Sequence, residues 1–142
     1  MISRCNRVLP STRSGADSHH VPLERQLADR SVCHLETIGR NSGQPRQVEI
    51  WFAADPDRDR IYFLSGGRDR AHWVRNIRKI PEVCVRIGSE RFSGVGSEVE
   101  GGPDEARARS LVADKYGARR DGELTAWART SLPVAIDLRS ST

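Results

Sequence analysis

The sequence predicts an α+β protein in which six mostly antiparallel strands form a small barrel and helices pack on one side of it. The first reason is a series of short apolar runs separated by turn residues, and the second is the insertion of helical patterns between these runs. The third is composition, since 142 residues with 37% hydrophobic and 30% charged residues suffice for one domain around a single core. The predicted strands are residues 32–38, 48–52, 60–64, 83–87, 91–99 and 133–138.

The start of the chain is predicted to be a disordered tail, because residues 1–20 are rich in Ser, Arg, His and Gly and show no periodicity. Residues 21–142 then form the barrel domain. It opens with a short helix within residues 23–29, which has Leu23 and Leu27 on one side.

The loop between the first two strands, residues 39–46, is rich in turn formers and carries the guanidinium groups of Arg40 and Arg46. Hairpin loops usually need only about two to five residues, so a longer loop indicates a further role. Free backbone N–H groups beside arginines suit an anion, because guanidinium binds phosphate with two parallel bonds. The alternative is a solvated hairpin tip.

The second strand alternates between apolar and polar residues. Val48, Ile50 and Phe52 face one way, whereas Gln47 and Trp51 face the other. This alternation predicts an antiparallel sheet with one buried face.

A second candidate anion site precedes the next helix, whose inner stripe is Trp73, Val74 and Ile77. Ser-Gly-Gly-Arg at residues 65–68 leads into this helix, and Asp69 is the predicted N-cap. The N–H groups of the loop would lie at the positive end of the helix dipole, where anions bind. The alternative is an ordinary connection between a strand and a helix.

The rest of the chain alternates between strands and helices. Gly94 and Gly96 predict a bulge or a bend in the strand 91–99. Pro-Asp-Glu at residues 103–105 is typical of a helix start, and Gly117 is typical of a helix end. A further helix is predicted over residues 123–130 before the closing strand.

The charge balance favours an acidic partner, because the formal net charge is +4 and nearly all of the positive charge is arginine. A phosphorylated cofactor, a nucleic acid and an anionic membrane surface all fit this balance. Aromatic residues make up only 6% of the chain, which leaves few side chains on which the bases of a single strand could stack.

The cysteines predict a cytoplasmic protein. Cys5, Cys33 and Cys84 form no C-x-x-C pair, and no histidine lies at metal-ligand spacing, so no metal site is expected. Cys33 and Cys84 fall within strand patterns and predict buried, reduced thiols. No apolar run approaches the length of about twenty residues that a membrane-spanning helix needs, although contact with a membrane surface stays open.

Hydrolytic chemistry has little support in this sequence. Ser42 has Arg40 where a nucleophile elbow requires glycine, and His34 lies in a strand with no acid or nucleophile near it in the sequence. Gly94 and Gly96 begin like a dinucleotide fingerprint, but Val99 occupies the third glycine position.

Three motifs resemble those of the deazaflavin-dependent nitroreductase family. Ile-Gly-Arg-Asn-Ser-Gly-Gln-Pro-Arg at residues 38–46 resembles the family motif G-R-[KR]-[ST]-G-x-x-R. Ser-Gly-Gly at residues 65–67 and the segment 71–77 resemble its cofactor loop and its W-x-x-N-L helix. Residues 127–134 are similar to its C-terminal signature W-x-R-x-x-[IL]-P-[IV].

The resemblance implies a split β-barrel of the FMN-binding type that binds coenzyme F420, a deazaflavin with a phosphate and a polyglutamate tail. The family transfers a hydride from the reduced coenzyme to quinones, nitroaromatics or other activated acceptors. Such chemistry needs no protein nucleophile, because the cofactor carries it. Split barrels commonly pair, so a homodimer is expected.

By motif position, Arg46 would contact the phosphate or the tail, and Trp73 and Asn76 would bracket the cofactor from the helix. Tyr116 would close the substrate side, and Tyr116 and Ser65 are the catalytic candidates. The cofactor-binding residues that the resemblance implies are Arg40, Asn41, Ser42, Arg46, Val48, Ile50, Ser65, Gly66, Gly67, Arg68, Arg70, His72, Trp73 and Asn76.

Two departures from the family pattern point to quinones rather than nitroimidazoles. Asn41 stands where many members have Lys or Arg, and Gly66 replaces a lysine after the serine. Two other functions stay open at this point. The same fold could bind FMN, or a basic barrel without enzymatic activity could bind nucleic acid by stacking bases on Tyr62 or Trp51.

Overall fold

The computed structural model of the protein describes residues 25–139, so the predicted tail at residues 1–20 lies outside the described range. The helices are α1 (Arg25–Ala28), α2 (His72–Lys79), α3 (Glu105–Tyr116) and α4 (Ala126–Thr130), and a 3₁₀ turn spans Arg68–Arg70. The strands are β1 (Cys33–Ile38), β2 (Pro45–Ile50), β3 (Ala53–Ala54), β4 (Arg60–Ser65), β5 (Glu82–Ile87), β6 (Glu90–Glu98), β7 (Arg119–Arg120), β8 (Glu123–Leu124) and β9 (Leu132–Leu138).

Seven strands form one curled sheet in the order β2-β1-β5-β6-β9-β4-β3, and every neighbouring pair is antiparallel. The six longer strands correspond to the six predicted ones, and the two-residue β3 is added at one edge. The prediction of an α+β fold with six mostly antiparallel strands is therefore confirmed. β2 begins at Pro45 rather than Val48, which an edge strand tolerates because one side of it makes no ladder bonds.

The two faces of the sheet bury two separate apolar clusters. Along β4, Ile61 and Phe63 enter the larger cluster, whereas Tyr62 and Leu64 enter the smaller one. α3 and α4 cover the smaller cluster with mostly small residues and form the expected side layer. α2 packs against the opposite cluster through Val74 and Ile77, so helices lie on both faces.

A buried carboxylate fixes α3 to the β3–β4 turn. Asp55 is 0% exposed and accepts two hydrogen bonds from Arg107, at 2.7 and 2.8 Å, and one from the Tyr62 hydroxyl at 2.8 Å. Burial alone would raise the pKa of Asp55, but the bonds from Arg107, the Asp57 N–H and Tyr62 outweigh it and hold the pKa well below its usual range. The carboxylate therefore stays charged and keeps α3 in place.

The start of α2 differs from the prediction. Asp69 lies inside the 3₁₀ turn, and the N-cap of α2 is Ala71, whose side chain makes no capping bond. Residues 66–70 form a compact turn of their own, so the helix starts two residues later than an N-cap at Asp69 would place it.

The predicted helix over residues 123–130 is also shorter than expected. β7 and β8 form a small hairpin, and α4 begins only after Thr125, whose hydroxyl accepts the N–H of Ala128 at 3.3 Å. The predicted end of α3 at Gly117 is confirmed, because Gly117 adopts the left-handed conformation at φ 69°.

The glycines of β6 do not make the expected bulge. β6 pairs in continuous register with β5 and β9, and Gly94 and Gly96 lie where the β9 side chains approach closely. A Cβ on Gly94 would lie 2.7 Å from Cγ2 of Ile136 and 2.9 Å from the carbonyl oxygen of Asp137. The close approach of β9 therefore gives a requirement for glycine at this position.

The buried thiol predicted at Cys33 is confirmed, since this residue is a free cysteine with 1% exposure, and burial raises the pKa of its thiol to about 12. Cys84 is buried as predicted, but it is disulfide-bonded, so the prediction of a reduced thiol is wrong at this position. Within residues 25–139 no helix has both the length and the apolar character to cross a membrane.

We predict that Gly94→Ala destabilises the protein by about 1–3 kcal/mol, because the new methyl group would overlap β9. Urea denaturation monitored by tryptophan fluorescence measures this change. Gly102→Ala is the matched control, since its Cβ would meet only the Val99 carbonyl oxygen at 3.5 Å. Equal unfolding midpoints for the two variants would contradict the close approach.

Candidate active site

A buried amide holds the β1–β2 loop against α2. Asn76 is 2% exposed, and its Oδ1 accepts the backbone N–H of Arg40 at 3.1 Å and Nη1 of Arg40 at 2.8 Å. Its Nδ2 donates to Thr37 Oγ1 at 3.0 Å. Both ends of the amide are satisfied, so Asn76 clamps the loop to β1 and α2.

The guanidinium of Arg40 lies across the first turn of α2. Its Nη2 is 3.2 Å from Nδ1 of His72, and since guanidinium can only donate, the imidazole nitrogen is the acceptor of this contact. Lys79 donates to the carbonyl oxygen of Arg40 at 3.1 Å. Arg40 and Lys79 thus form one cationic patch around the buried Asn76, with His72 beside the Arg40 guanidinium.

Arg46 extends this patch from the other end of the loop. Its Nη2 is 3.4 Å from Ser42 Oγ, and it has no ion-pair partner within the described part of the chain. Ser42 also accepts the N–H of Gln44 at 3.1 Å, so its hydroxyl shapes the loop. Asn41 is exposed at the tip.

The loop after β4 is fixed by its own hydrogen bonds. Ser65 is 4% exposed, and its hydroxyl donates to the carbonyl oxygen of Arg68 at 3.0 Å. Arg68 directs its guanidinium to Glu100 and to the carbonyl oxygen of Thr130. Arg68 thus lies beside the β6–α3 connection and α4, whereas Arg70 is exposed with no side-chain partner among residues 25–139.

Three further predicted site residues belong partly to the core. Trp73 is half-buried and packs edge-on against Phe63, with ring centroids 5.7 Å apart. Val48 and Ile50 are half-buried against the larger apolar cluster. All three side chains therefore pack partly against the core instead of extending fully into solvent.

A group of three aromatic rings, which we call the aromatic platform, lies beside the Gly66–Gly67 turn. Trp51 stacks on Tyr116 with centroids 4.2 Å apart and an interplanar angle of 1°, and it meets Trp127 edge-on at 5.7 Å. A Cβ on Gly66 would lie 3.1 Å from Nε1 of Trp127. Trp51 is 46% exposed and is the one exposed large hydrophobic side chain within residues 25–139.

The base of the platform is held by backbone carbonyls. The Tyr116 hydroxyl donates to the carbonyl oxygen of Ser31 at 2.6 Å and accepts the N–H of Phe52 at 3.1 Å. Burial raises its pKa, so the hydroxyl stays protonated at neutral pH. Lys115 donates to the carbonyl oxygens of Ala28 and Phe52, and burial lowers its pKa to about 8.

The donor set fits an anionic cofactor with a planar ring. Neither the loop at residues 39–46 nor α2 contains an acidic residue, so the cations of the patch are not neutralised from their own segments. The 3₁₀ turn and Gly66 connect this patch to the platform. Both loops were singled out from the sequence, whereas Trp51, Trp127 and Lys79 were not among the predicted cofactor-binding residues, because their contacts join distant segments.

The family model of the F420H2-dependent quinone reductases matches residues 13–139 of the chain. The F420H2-dependent quinone reductase Rv1261c of Mycobacterium tuberculosis H37Rv is 30% identical over 104 residues, which cover 72% of this chain and 68% of that protein. The quinone reductase MT1299 of the strain CDC 1551 gives the same values.

Solved structures show that the fold is a split barrel. A structure described as an F420 reductase superposes with a TM-score of 0.58 at 22% identity, and it covers 81% of this chain and 92% of its own. An F420H2-dependent reductase, FDR-A, gives a TM-score of 0.59 at 20% identity, with coverages of 76% and 95%. HutZ, a haem-storage protein from Vibrio cholerae, gives a TM-score of 0.60 at 16% identity, with coverages of 79% and 84%. The fold alone therefore does not select a ligand.

We predict that Asn76→Ala loosens the β1–β2 loop, because it leaves Thr37 and the Arg40 N–H without their buried partner. The expected destabilisation is about 1–3 kcal/mol. Hydrogen–deuterium exchange should accelerate in residues 39–44 while β9 stays protected. Asn41→Ala, at the exposed tip of the same loop, should change neither the stability nor the exchange rate. Equal behaviour of the two variants would show that Asn76 does not clamp the loop.

Proposed function

Because the chain belongs to the family of F420H2-dependent quinone reductases, we propose that it binds coenzyme F420 in the site described above and reduces a quinone. When bound, the reduced deazaflavin supplies the hydride, so the protein needs no nucleophile of its own. The observation that carries the proposal is that the turn at Gly66, which lies against Trp127 of the aromatic platform, leads along the chain into α2, which with the loop 39–46 forms a cationic patch without acidic residues.

Arg40 and Arg46 are the proposed receptors for the phosphate and the carboxylates of the cofactor. Asn76 and His72 hold the Arg40 guanidinium before any ligand arrives, so little side-chain freedom is lost on binding. Arg46 is exposed and has only a weak contact with Ser42, so it is free to turn to an anion. Lys79 adds positive charge at the same place.

Trp51 is the proposed surface for the acceptor. Its exposed ring offers a flat apolar face, and Tyr116 supports the opposite face by parallel stacking. A quinone is planar and matches such a face. The Tyr116 hydroxyl is occupied by backbone groups, so we propose that Tyr116 acts by fixing the ring of Trp51 rather than as an acid.

Ser65 has a comparable supporting role in this proposal. Its buried hydroxyl donates to the Arg68 carbonyl oxygen and keeps Gly66 and Gly67 in a tight turn. The protein then contributes position and electrostatic complementarity rather than an essential proton-transfer group.

The alternative functions have less support. The family match favours F420 over FMN as the cofactor. For nucleic acid, one of the two aromatic residues predicted to stack on bases, Tyr62, is 0% exposed, so it offers no surface to a base. A homodimer and a cytoplasmic location remain proposals, and β2, which ends the sheet, is a natural edge for contact with a second copy.

We predict that Arg46→Ala weakens F420 binding by about 1.5–3 kcal/mol, the range of charge-assisted hydrogen bonds. Arg46→Lys should recover only part of this loss, because ammonium cannot form two parallel bonds. Titration of the intrinsic fluorescence of F420 measures each dissociation constant.

Arg139→Ala is the control for this series, because Arg139 is exposed at the end of β9, outside both loops. Its affinity should equal that of the wild type. If Arg46→Ala bound F420 as tightly as Arg139→Ala, the phosphate or tail would have to lie elsewhere.

We predict that Trp51→Ala raises KM for a soluble naphthoquinone about tenfold while the dissociation constant of F420 stays within about twofold. Trp51→Phe should retain most of the affinity, since it keeps an aromatic face. Stopped-flow oxidation of the reduced coenzyme at varied quinone concentration separates the two effects. An equal loss of F420 affinity would assign Trp51 to the cofactor instead.

A further inference from the structure

Arg68 makes a set of contacts that differs from those of the other loop arginines. Two bonds join its Nη2 to the carboxylate of Glu100, at 2.5 and 2.6 Å, and its Nη1 donates to the carbonyl oxygen of Thr130 at 2.5 Å. These contacts use both terminal nitrogens of the guanidinium. A cofactor anion would therefore have to compete with the Glu100 carboxylate for this guanidinium.

The backbone of Arg68 also requires support. Its φ of 53° lies in the left-handed region, which costs a residue with a side chain on the order of 1 kcal/mol. Its carbonyl oxygen accepts the buried hydroxyl of Ser65 at 3.0 Å and the N–H of Ala71 at 3.4 Å. The side-chain contacts with Glu100 and Thr130 therefore help to hold a strained turn in one conformation.

Glu100 is tied to the helical layer through a second arginine. Its Oε2 is 3.7 Å from Nη2 of Arg109, and Arg109 is 6% exposed. Nη1 of Arg109 donates to the carbonyl oxygens of Ala128 and Ser131 at 2.9 and 2.7 Å. Glu100 thus joins the loop of Arg68 to Arg109 of α3, and Arg109 in turn holds the carbonyl oxygens of Ala128 and Ser131.

We propose that Arg68 and Glu100 form a latch that positions the Gly66–Gly67 turn against Trp127, and that Arg68 does not itself bind the cofactor. This inference rests on the proposed function, because the turn is the link between the cationic patch and the aromatic platform. Arg68 and Glu100 are positioning residues, acting through the turn. An exposed ion pair of this kind contributes little free energy on its own and is screened by salt, so the latch weakens as the salt concentration rises.

The test is a double-mutant cycle read by F420 affinity and, in the protein without ligand, by hydrogen–deuterium exchange of residues 65–71. Arg68→Ala and Glu100→Gln should each weaken F420 binding about fivefold, and the double variant should lose no more than either single one. The exchanged pair, Arg68→Glu with Glu100→Arg, should recover much of the affinity. Exchange in residues 65–71 should accelerate in each single variant, with the melting temperature and the quinone KM nearly unchanged.

Asp114→Asn is the matched control, because it removes another exposed carboxylate–arginine pair, with Arg119, on the far side of α3. It should leave both readouts at the wild-type values. A large loss for Arg68→Ala combined with unchanged or tighter binding for Glu100→Gln would overturn the latch and make Arg68 a direct ligand. If the wild type itself failed to bind F420, the proposed function would fail, while the exchange experiment would still decide whether the latch orders the turn.

Discussion

One buried side-chain amide, that of Asn76, joins the sheet, α2 and the β1–β2 loop. An amide that is 2% exposed must have its hydrogen bonds within the protein, because an unsatisfied donor or acceptor at such depth costs about 1–3 kcal/mol. Thr37 and both the backbone and the side chain of Arg40 provide those bonds. The position of the Arg40 guanidinium, the proposed anion receptor, is therefore set by the folding of the core before any ligand binds.

The arginines of this chain divide into two groups with different physical roles. Arg107 and Arg109 have carboxylate or carbonyl partners that fix α3 and α4, and they are committed to the fold. Arg46 and Arg70 are exposed and have no ion-pair partner in the described range. The second group, together with Arg40, whose hydrogen-bond partners are not acidic, can take a new anion, so the basic net charge overstates the number of cations available to a ligand.

Much of the fold could be predicted from the sequence, because the burial of one face of a strand leaves a local pattern of apolar residues. The six longer strands and the end of α3 at Gly117 were all visible as periodicity or as turn chemistry. Glu100, the partner of Arg68, is 32 residues away in the sequence, and Tyr116 of α3 stacks on Trp51, which directly follows β2. Such pairings depend on the assembled sheet, which is why the sequence indicated neither the Glu100 partner of Arg68 nor the stacking of Trp51 on Tyr116. The start of α4 was predicted three residues too early, because Leu124 continues the apolar pattern although it lies in a hairpin.

The contact between Gly66 and Trp127 connects the sequence departure at this position to the choice of acceptor. Any side chain at position 66 would bring its Cβ to 3.1 Å from Nε1 and 3.3 Å from Cδ1 of the indole, so the turn or α4 would have to move. The resemblance places a lysine here in the nitroimidazole-reducing members. Glycine lets the turn rest directly on Trp127, and it adds no charge to the aromatic platform. A neutral planar quinone can stack on such a surface, whereas an acceptor that relies on a cation at position 66 would find none.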